Sequence, residues 1–410
     1  MSLQKYTRLK YLVSINTEHA ESNEGYVGLE NVESWSGRKI ETNTPEAEGV
    51  ALSYQKGDVL FGKLRPYLAK CYVAEEDACC SMEFLVMRPK KVVSKYLQYR
   101  ILSAEFIDKV NMSTYGAKMP RANWSFIGNL KLDVPSMEEQ QLIANYLDDR
   151  CSKIDAIIAE AKASIEEYKE LKQAVIYEAV TIGTEKDVPL KDSGIYGWGN
   201  VPQHWQKGKM KAFIESVESG LSAITGDDSA VESGNYVLRT SAVSSGEFKA
   251  DEKKAVLNNA LDRLVCPVEK DTLVMSRMNT AKMVGYCAYI AEEQPNTYLP
   301  DKLWKIKTKK TLMPKYAWYL INSNGPHEHF ASIATGTSAS MINITKTDLY
   351  AVDVVVPSVE EQLKITKHID KVISKIDELC SEKQSLIEDL EAYKKSLIYE
   401  VVTGKRKVVA

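Results

Sequence analysis

Polar side chains that can bond to bases and phosphates cluster in two loop-like stretches early in the chain. The stretches are KGDVLFGKLRPYLAK (56–70) and STYGAKMPRANW (113–124), and their candidate side chains are Lys63, Arg65, Tyr67, Tyr115, Lys118 and Arg121. Arginine and lysine reach guanine edges or phosphate oxygens, and a small Gly or Ser backbone lets a phosphate approach. We therefore expect these residues to contact DNA. The alternative interpretation is a pair of ordinary solvated turns.

Two stretches in the second half of the chain have a similar character. DTLVMSRM (271–278) with the turn that follows it, and ATGTSASMINIT (334–345), supply Arg277, Asn279, Lys282, Ser338, Ser340 and Asn343. Asparagine is the side chain that pairs with adenine through two hydrogen bonds. The two halves differ in detail. Glu269-Lys270-Asp271 stands where the first half has Lys56-Gly57-Asp58, no proline follows Arg277, and only the second half opens with Pro-x-x-Trp, as PQHW.

The sequence contains none of the motifs that mark common catalytic and cofactor sites. It has no P-loop, no H-E-x-x-H, no G-x-S-x-G, and no G-x-G-x-x-G after a strand-like run. An adenine methyltransferase would need a cofactor loop and an Asn/Asp-Pro-Pro-aromatic motif, and neither occurs. The seven cysteines form no Cys-x-x-Cys pair, so reduced, buried thiols are expected rather than a metal site. His327 and His329 are interpreted as a surface pair.

A long repeated element must position these loops. With an offset of 222 residues, Pro135–Thr181 aligns without a gap with Pro357–Thr403, and by direct count 20 of the 47 positions are identical. Neither 136–182 nor 358–403 contains Gly or Pro, and each begins with a Ser-x-x-Glu capping box, Ser136 with Glu139 and Ser358 with Glu361. The pattern predicts two long helices, each at the end of a globular block.

The apolar residues of the first copy recur in a stripe with a period of seven. The stripe runs from Leu147 to Val175 and includes Ile157 and Leu171, so it is wide enough for more than one neighbour. A helix about 70 Å long needs a packing partner in water, and the simplest one is the other copy, paired antiparallel. The alternative is that each helix folds back on its own block. The blocks read as mixed α and β. GDVLFGKL and DTLVMSRM are strand-like runs, and SKYLQYRILSAEFIDKV (94–110) and PKYAWYLINSNGPHEHF (314–330) read as amphipathic helices. The prediction is an α/β chain with a pseudo-twofold internal repeat.

Length and composition fit a globular protein of at least two domains. The 410 residues carry a net charge of −3, and the counts by segment are +2 for 1–134, −6 for 135–185, +1 for 186–356 and 0 for 357–410. Local positive faces on the two blocks are therefore compatible with phosphate contacts. No apolar run approaches a membrane span and the N-terminus has no signal-peptide core, so a cytoplasmic protein without a membrane partner is expected.

These motifs together resemble the specificity subunit of type I restriction–modification systems, the HsdS family. The resemblance rests on VPSMEEQQLIANYLD, VPSVEEQLKITKHID, the helix ends IYEAVT and IYEVVTGK, the segment VPLKDSGIYGWGNVPQHW and KGDVLFGKLRPY. It implies target-recognition domains at 1–134 and 184–356, the latter opening with a linker at 184–205. It also implies conserved spacer helices at 135–183 and 357–410.

The resemblance also implies a non-catalytic role and a set of partners. Each recognition domain would read one half of a bipartite, asymmetric site in double-stranded DNA. The helices would set the distance between half-sites and dock two methyltransferase subunits, and restriction/translocase subunits would join them. S-adenosylmethionine, ATP and Mg would belong to those partners, with no cofactor in this chain. Two alternatives stay open: a coiled-coil scaffold that binds proteins, and a methyltransferase with a divergent cofactor site.

Overall fold

The computed structural model describes residues 6–20, 25–42, 50–116, 118–185, 187–222, 234–338 and 341–408. The chain divides into two compact units. Unit 1 comprises Met1–Ala163 with Lys383–Ala410, and unit 2 comprises Ser164–Glu382. Each unit therefore contains one globular block and one end of each repeated helix.

The block of unit 1 is built from short strands and three helices. Its strands are β1 Tyr6–Arg8, β2 Val13–Asn16, β3 Ala51–Tyr54, β4 Val59–Gly62, β5 Cys71–Val73, β6 Ala78–Ser81, β7 Phe84–Pro89 and β8 Lys131–Asp133. Its helices are α1 Ser94–Leu102, α2 Ala104–Met112 and α3 Trp124–Ile127. The main sheet has the antiparallel order β2-β7-β4-β5, and β3-β6 and β1-β8 form two smaller pairs.

The first repeated helix, α4, runs from Met137 to Thr181, and the block of unit 2 follows it. The strands of that block are β9 Leu190–Asp192, β10 Asn200–Pro202, β11 Gln206–Lys209, β12 Ile214–Ser219, β13 Tyr236–Leu238, β14 Lys253–Ala255, β15 Thr272–Ser276, β16 Met278–Asn279, β17 Cys287–Ile290, β18 Thr297–Tyr298, β19 Leu303–Thr308, β20 Thr335–Ser338, β21 Met341–Asn343 and β22 Asp353–Val356. Its helices are α5 Pro314–Asn322, α6 Asn324–Ser332 and α7 Lys346–Ala351, and the second repeated helix is α8 Val359–Val402.

The two blocks share one topology. The main sheet of unit 2 has the order β12-β19-β15-β17, which matches β2-β7-β4-β5 of unit 1, and β11-β22 matches β1-β8. The central strands β4 and β15 are buried along their whole length, which explains the apolar runs 59–61 and 273–275 within them. Phe61 on β4 packs edge-on against Phe106 of α2 at 6.1 Å between ring centroids. The mixed α/β repeat predicted from the sequence is therefore confirmed.

Each helix predicted after the main sheet is divided in two by a serine. Ser103 separates α1 from α2 and Ser323 separates α5 from α6, both with extended backbone (ψ 138° and 148°). Each hydroxyl donates to the carbonyl three residues back, Ser103 to Arg100 at 2.7 Å and Ser323 to Leu320 at 2.8 Å. This side-chain bond gives the backbone an alternative to the helical ladder. The prediction of one continuous helix at each place was therefore wrong.

A buried glutamine attaches the start of each long helix to its block. Gln140 Oε1 accepts from the Val93 amide at 2.8 Å, and its Nε2 donates to the Pro135 carbonyl at 2.9 Å. Gln362 repeats this with the Met313 amide at 2.8 Å and the Pro357 carbonyl at 2.9 Å. These equivalent bonds explain why both copies of the repeat carry a glutamine at the end of Glu-Glu-Gln.

Within each unit the two repeated helices pair antiparallel, as predicted. In unit 1, Lys394 of α8 donates to both carboxylate oxygens of Asp155 of α4, at 2.7 and 2.8 Å. In unit 2, Lys172 of α4 contacts Asp377 of α8 at 2.9 Å. The offset of 222 relates these two ion pairs, so the repeat forms the same contact twice. Each helix also packs on a globular block, for example through the 2.7 Å bond from Tyr99 to Asp148.

Three expectations about these elements need correction. Ile157 and Leu171, placed in the apolar stripe, are 46% and 48% exposed, because one partner helix covers a narrower face. The capping box at Ser358 is complete, whereas at Ser136 only the Glu139 amide bonds to the serine hydroxyl. His327 is buried and stacks on Tyr286 at 3.8 Å, so it is not half of a surface pair.

Candidate nucleic-acid interface

In unit 1, the two polar loops predicted from the sequence form one hydrogen-bonded ribbon. The Arg65 amide donates to the Pro120 carbonyl at 2.7 Å, and the Ala122 amide donates to the Lys63 carbonyl at 2.9 Å. Tyr115 and Arg121 exchange both backbone bonds, at 3.2 and 3.0 Å. Residues some fifty positions apart in sequence therefore lie side by side; we call this ribbon (63–69 and 113–122) ribbon 1.

The predicted side chains of ribbon 1 are mostly accessible. Arg65, Lys118, Tyr67 and Tyr115 are exposed, the two tyrosines by 44% and 63%, and Lys63 is half-buried. Arg65 itself has a left-handed backbone (φ +50°), which is costly for a residue with a side chain. The ribbon bonds and the following proline hold it there, and such imposed strain is frequent at binding sites. The arrangement can present cations and tyrosine rings to a polyanion.

Arg121 is the exception, because a carboxylate already holds it. Its Nε and Nη2 donate to the two oxygens of Glu83 at 3.2 and 2.7 Å, a bidentate fork. The hydrogen bonds to Glu83 raise the pKa of Arg121. Such a fork fixes the plane of the guanidinium and partly neutralises it. The sequence did not indicate Glu83, which lies 38 residues away and outside both polar stretches.

Unit 2 contains a ribbon with the same hydrogen-bond pattern, formed by residues 277–279, β20 and β21; we call it ribbon 2. Met278 pairs with Asn343 and Asn279 with Ile342, while Asn343 also pairs with Thr335. The Ile344 amide donates to the Arg277 carbonyl at 2.9 Å, just as Ala122 does to Lys63 in unit 1. The structure therefore joins these two predicted loops as well.

The backbone bonds establish which positions of the two ribbons correspond. The amides of Lys63 and Arg277 donate to the carbonyls of Glu83 and Lys302, so these two pairs are equivalent. It follows that Arg65 corresponds to Asn279 and Arg121 to Asn343. Counting back along β4 and β15 from these pairs makes Thr272 the equivalent of Asp58. The alignment made from the sequence had matched Asp58 with Asp271, one residue earlier. That alignment was wrong because strand register, not the local motif, determines the match.

At two of the three equivalent positions the residues belong to different chemical classes, and at the first both are cations. At the three equivalent positions ribbon 1 has Lys63, Arg65 and Arg121, whereas ribbon 2 has Arg277, Asn279 and Asn343. Beside the third position, ribbon 1 carries Glu83 and ribbon 2 carries Lys302.

The side chains of ribbon 2 are more engaged within the fold. Arg277 Nε donates to the Asp301 carbonyl at 2.8 Å, and its guanidinium lies 5.9 Å from the Trp304 ring centre. Asn279 donates to the Ser276 hydroxyl at 3.3 Å and accepts from the Thr280 amide at 2.8 Å. Lys282 is exposed.

Asn343 differs from the rest of ribbon 2. Its Oδ1 is buried, and among the described residues it has no hydrogen-bond partner. A buried amide oxygen without a partner is costly unless another group satisfies it. Ser338 ends β20, and Ser340 lies outside the described residues. DNA contact by any of the twelve candidate residues stays a prediction.

The part of the chain that the structure describes contains neither a metal cluster nor a membrane-spanning helix. No group of three or more His, Cys, Asp or Glu side chains there could hold a metal ion. None of the described helices combines the length and the apolar character needed to cross a membrane. The cysteines are free thiols; six are buried and Cys380 is half-buried.

Comparison with known proteins associates this geometry with one family. Residues 18–167 match the family model described as the type I restriction modification DNA specificity domain. The chain is 22% identical over 327 residues to the type I restriction enzyme EcoKI specificity subunit of Escherichia coli K12, covering 78% of this chain and 67% of the relative. It is 23% identical over 331 residues to the MjaVIII specificity subunit of Methanocaldococcus jannaschii, covering 80% and 74%.

Solved structures agree in fold. A chain from a study of complex assembly and conformational transition of the type I R-M system matches with a TM-score of 0.75 at 16% identity, over 98% of both chains. The HsdS subunit of Thermoanaerobacter tengcongensis matches with a TM-score of 0.52 at 15% identity, over 98% of this chain and 97% of that one. At these identities the likeness shows the fold alone.

Proposed function

We propose that this chain, which resembles the specificity subunits of type I restriction–modification systems in sequence and in fold, is the DNA-reading subunit of such a system. The observation that carries the proposal is the pair of equivalent ribbons with different side chains. One scaffold is used twice. Two of its three equivalent positions, and the position beside the third, carry residues of different chemical classes. That is the pattern expected of two readers for two different half-sites.

Ribbon 1 suits a guanine-containing or phosphate-rich contact. Arg65 and Lys118 are exposed cations on a backbone held in place by hydrogen bonds. Arg121, oriented by Glu83, presents its remaining guanidinium nitrogen in a fixed direction. A fixed donor loses less side-chain entropy on binding, which favours base readout over loose phosphate contact.

Ribbon 2 suits a contact with adenine. Asn343 carries a buried amide oxygen without a partner among the described residues, and a rotation of this side chain would present it to a base. An asparagine bonds adenine through both its oxygen and its nitrogen. Exposed Lys282 would contact phosphate, and Arg277, already bonded to Asp301, would support the ribbon rather than read a base.

The repeated helices would set the distance between half-sites and dock two methyltransferase subunits. Exposed apolar side chains on them support a docking role: Ile157, Leu386 and Tyr393 in unit 1, and Leu171, Val359 and Leu363 in unit 2. Restriction/translocase subunits would complete the assembly. S-adenosylmethionine, ATP and Mg would be bound by those partners, and this chain would perform no catalysis.

The test is the methylation pattern that the chain directs. The chain is co-expressed with the methyltransferase subunit of its host, and the methylated adenines are mapped by sequencing. A two-part site with different halves and a fixed gap is expected, and it should vanish when this chain is left out. Methylation at a single undivided motif, or methylation by the chain alone, would contradict the proposal.

A further inference from the structure

In unit 2, the segment before β11 covers the first turns of α8. Trp205 is 3% exposed, and its indole Nε1 donates to Glu361 Oε1 at 3.3 Å. His204 Nε2 contacts the same oxygen at 2.7 Å, and Lys364 pairs with Glu185 at 3.0 Å. The helix start is thus closed by the Pro-x-x-Trp segment of residues 202–205.

In unit 1, the residues that the structure describes build the same place without that cover. The offset of 222 relates Glu361, Lys364 and Ile365 to Glu139, Leu142 and Ile143. These three residues line a groove of about 890 Å³ whose apolar floor also includes Val401 and Val402. Leu142 is 44% exposed where unit 2 has the paired Lys364.

The carboxylate at the rim of this groove is also less engaged than its counterpart. Glu361 accepts hydrogen bonds from Trp205, His204 and both the amide and the hydroxyl of Ser358. Within the described parts of the chain, the side chain of Glu139 accepts none, and only its amide bonds, to the Ser136 hydroxyl at 3.2 Å. The groove of unit 1 therefore combines a carboxylate acceptor at its rim, Glu139, with an apolar floor.

We propose that this groove binds an extended segment of a partner protein that carries a proline followed by a tryptophan-like aromatic N–H donor. The internal repeat supplies the reason, because the equivalent surface of unit 2 is filled by such a segment. The aromatic ring would cover Leu142 and Ile143, and its N–H would bond to Glu139. Pro-x-x-Trp occurs once in the sequence given, at 202–205, and residues 1–5 (MSLQK) include no tryptophan, so we assign the segment to a partner protein.

The probe is a fluorescently labelled peptide with the sequence of residues 199–207, GNVPQHWQK, titrated with the full chain and followed by anisotropy. Saturable binding is expected below about 1 mM peptide. The affinity should fall at least about tenfold with Leu142→Arg, and also when alanine replaces the peptide tryptophan. Met112→Arg, at an exposed apolar position at the end of α2 and outside the groove, is the matched control and should bind like the unaltered chain.

Two further variants keep the test decisive. Glu139→Gln changes an exposed side chain without threatening the fold, and it should weaken binding because the indole donor loses a charged acceptor. Removal of residues 1–5 should leave binding unchanged. No saturable binding, equal binding by the Leu142→Arg and Met112→Arg variants, or a tenfold gain on removing residues 1–5 would overturn the proposal. The last result would identify the chain's own N-terminus as the occupant.

Discussion

The two ion pairs between the repeated helices permit a matched test of what burial does to a charge. Asp155 and Asp377 occupy equivalent positions of the repeat, and each contacts one lysine of the other helix, Lys394 or Lys172. Their surroundings differ, since the side chains of Asp155 and Lys394 are 13% and 9% exposed. Those of Asp377 and Lys172 are 56% and 21% exposed. The same substitution can therefore be made in two environments.

Asp155→Asn should destabilise unit 1 by about 2–4 kcal/mol. Removing one partner of a buried pair leaves the other charge without compensation, which costs about 3–5 kcal/mol in full burial, and the residual exposure of Asp155 lowers this figure. Asp377→Asn should cost unit 2 about 0.2–1 kcal/mol, because water screens an exposed pair. The predicted difference comes mainly from burial, and the second cation near Asp155, Arg38 at 3.8 Å, acts in the same direction.

Native-state hydrogen exchange read by mass spectrometry is the appropriate assay. A chain of two units need not unfold in one step, so a single melting curve would mix the two responses. Protection should fall in unit 1 for Asp155→Asn and stay nearly unchanged in unit 2 for Asp377→Asn. Asp149→Asn, which breaks an exposed pair with Lys153 on the same helix, serves as a control. Equal losses for Asp155→Asn and Asp377→Asn would refute the reasoning.

Three further predictions follow from single contacts. Gln362→Leu should cost about 2–4 kcal/mol, because the Met313 amide and two carbonyls lose their partner; hydrogen exchange in unit 2 shows this against the exposed control Gln141→Leu, and equal protection of unit 2 in the two variants would contradict it. Burial lowers the pKa of His327 from 6.5 to about 4, so protons bind the unfolded state better and stability should decline as pH falls from 6.5 towards 4, by about 3 kcal/mol at most. His327→Phe should remove that decline in denaturant titrations at pH 7 and 4.5, and an unchanged pH dependence would exclude His327 as its source. Arg65→Ala should weaken cognate DNA binding by about 1–3 kcal/mol if it reads a base; an unchanged Kd at matched salt would exclude such a contact.

The sequence predicted best those features that depend on near neighbours. The long helices were expected at 136–182 and 358–403 and lie at Met137–Thr181 and Val359–Val402. Their limits follow from a proline, a serine cap and a glycine, all within a few residues of the ends. The strands β4 and β15 were also expected, since a short apolar run between polar turns suits a buried strand.

Features that depend on distant contacts were missed. The bond between Arg121 and Glu83 joins residues 38 positions apart, and nothing near either one indicates the other. The one-residue error in aligning the ribbons arose because strand pairing, not the Lys-Gly-Asp motif, sets the register. The exposure of Ile157 and Leu171 depends on how much of the stripe a single partner covers. The seven-residue period of the apolar residues does not show how much of the stripe a partner helix covers.

The central claim, that each ribbon reads one half of a divided site, is tested most directly by exchanging side chains between ribbons. Glu83→Lys combined with Arg121→Asn gives ribbon 1 the residues that ribbon 2 carries at the equivalent positions, Lys302 and Asn343. Methylated adenines are then mapped by sequencing in cells that express each variant with the host methyltransferase subunit. A change confined to one half of the site, with the other half and the gap unaltered, is the predicted result. A change in both halves, or active methylation with an unchanged site, would contradict it.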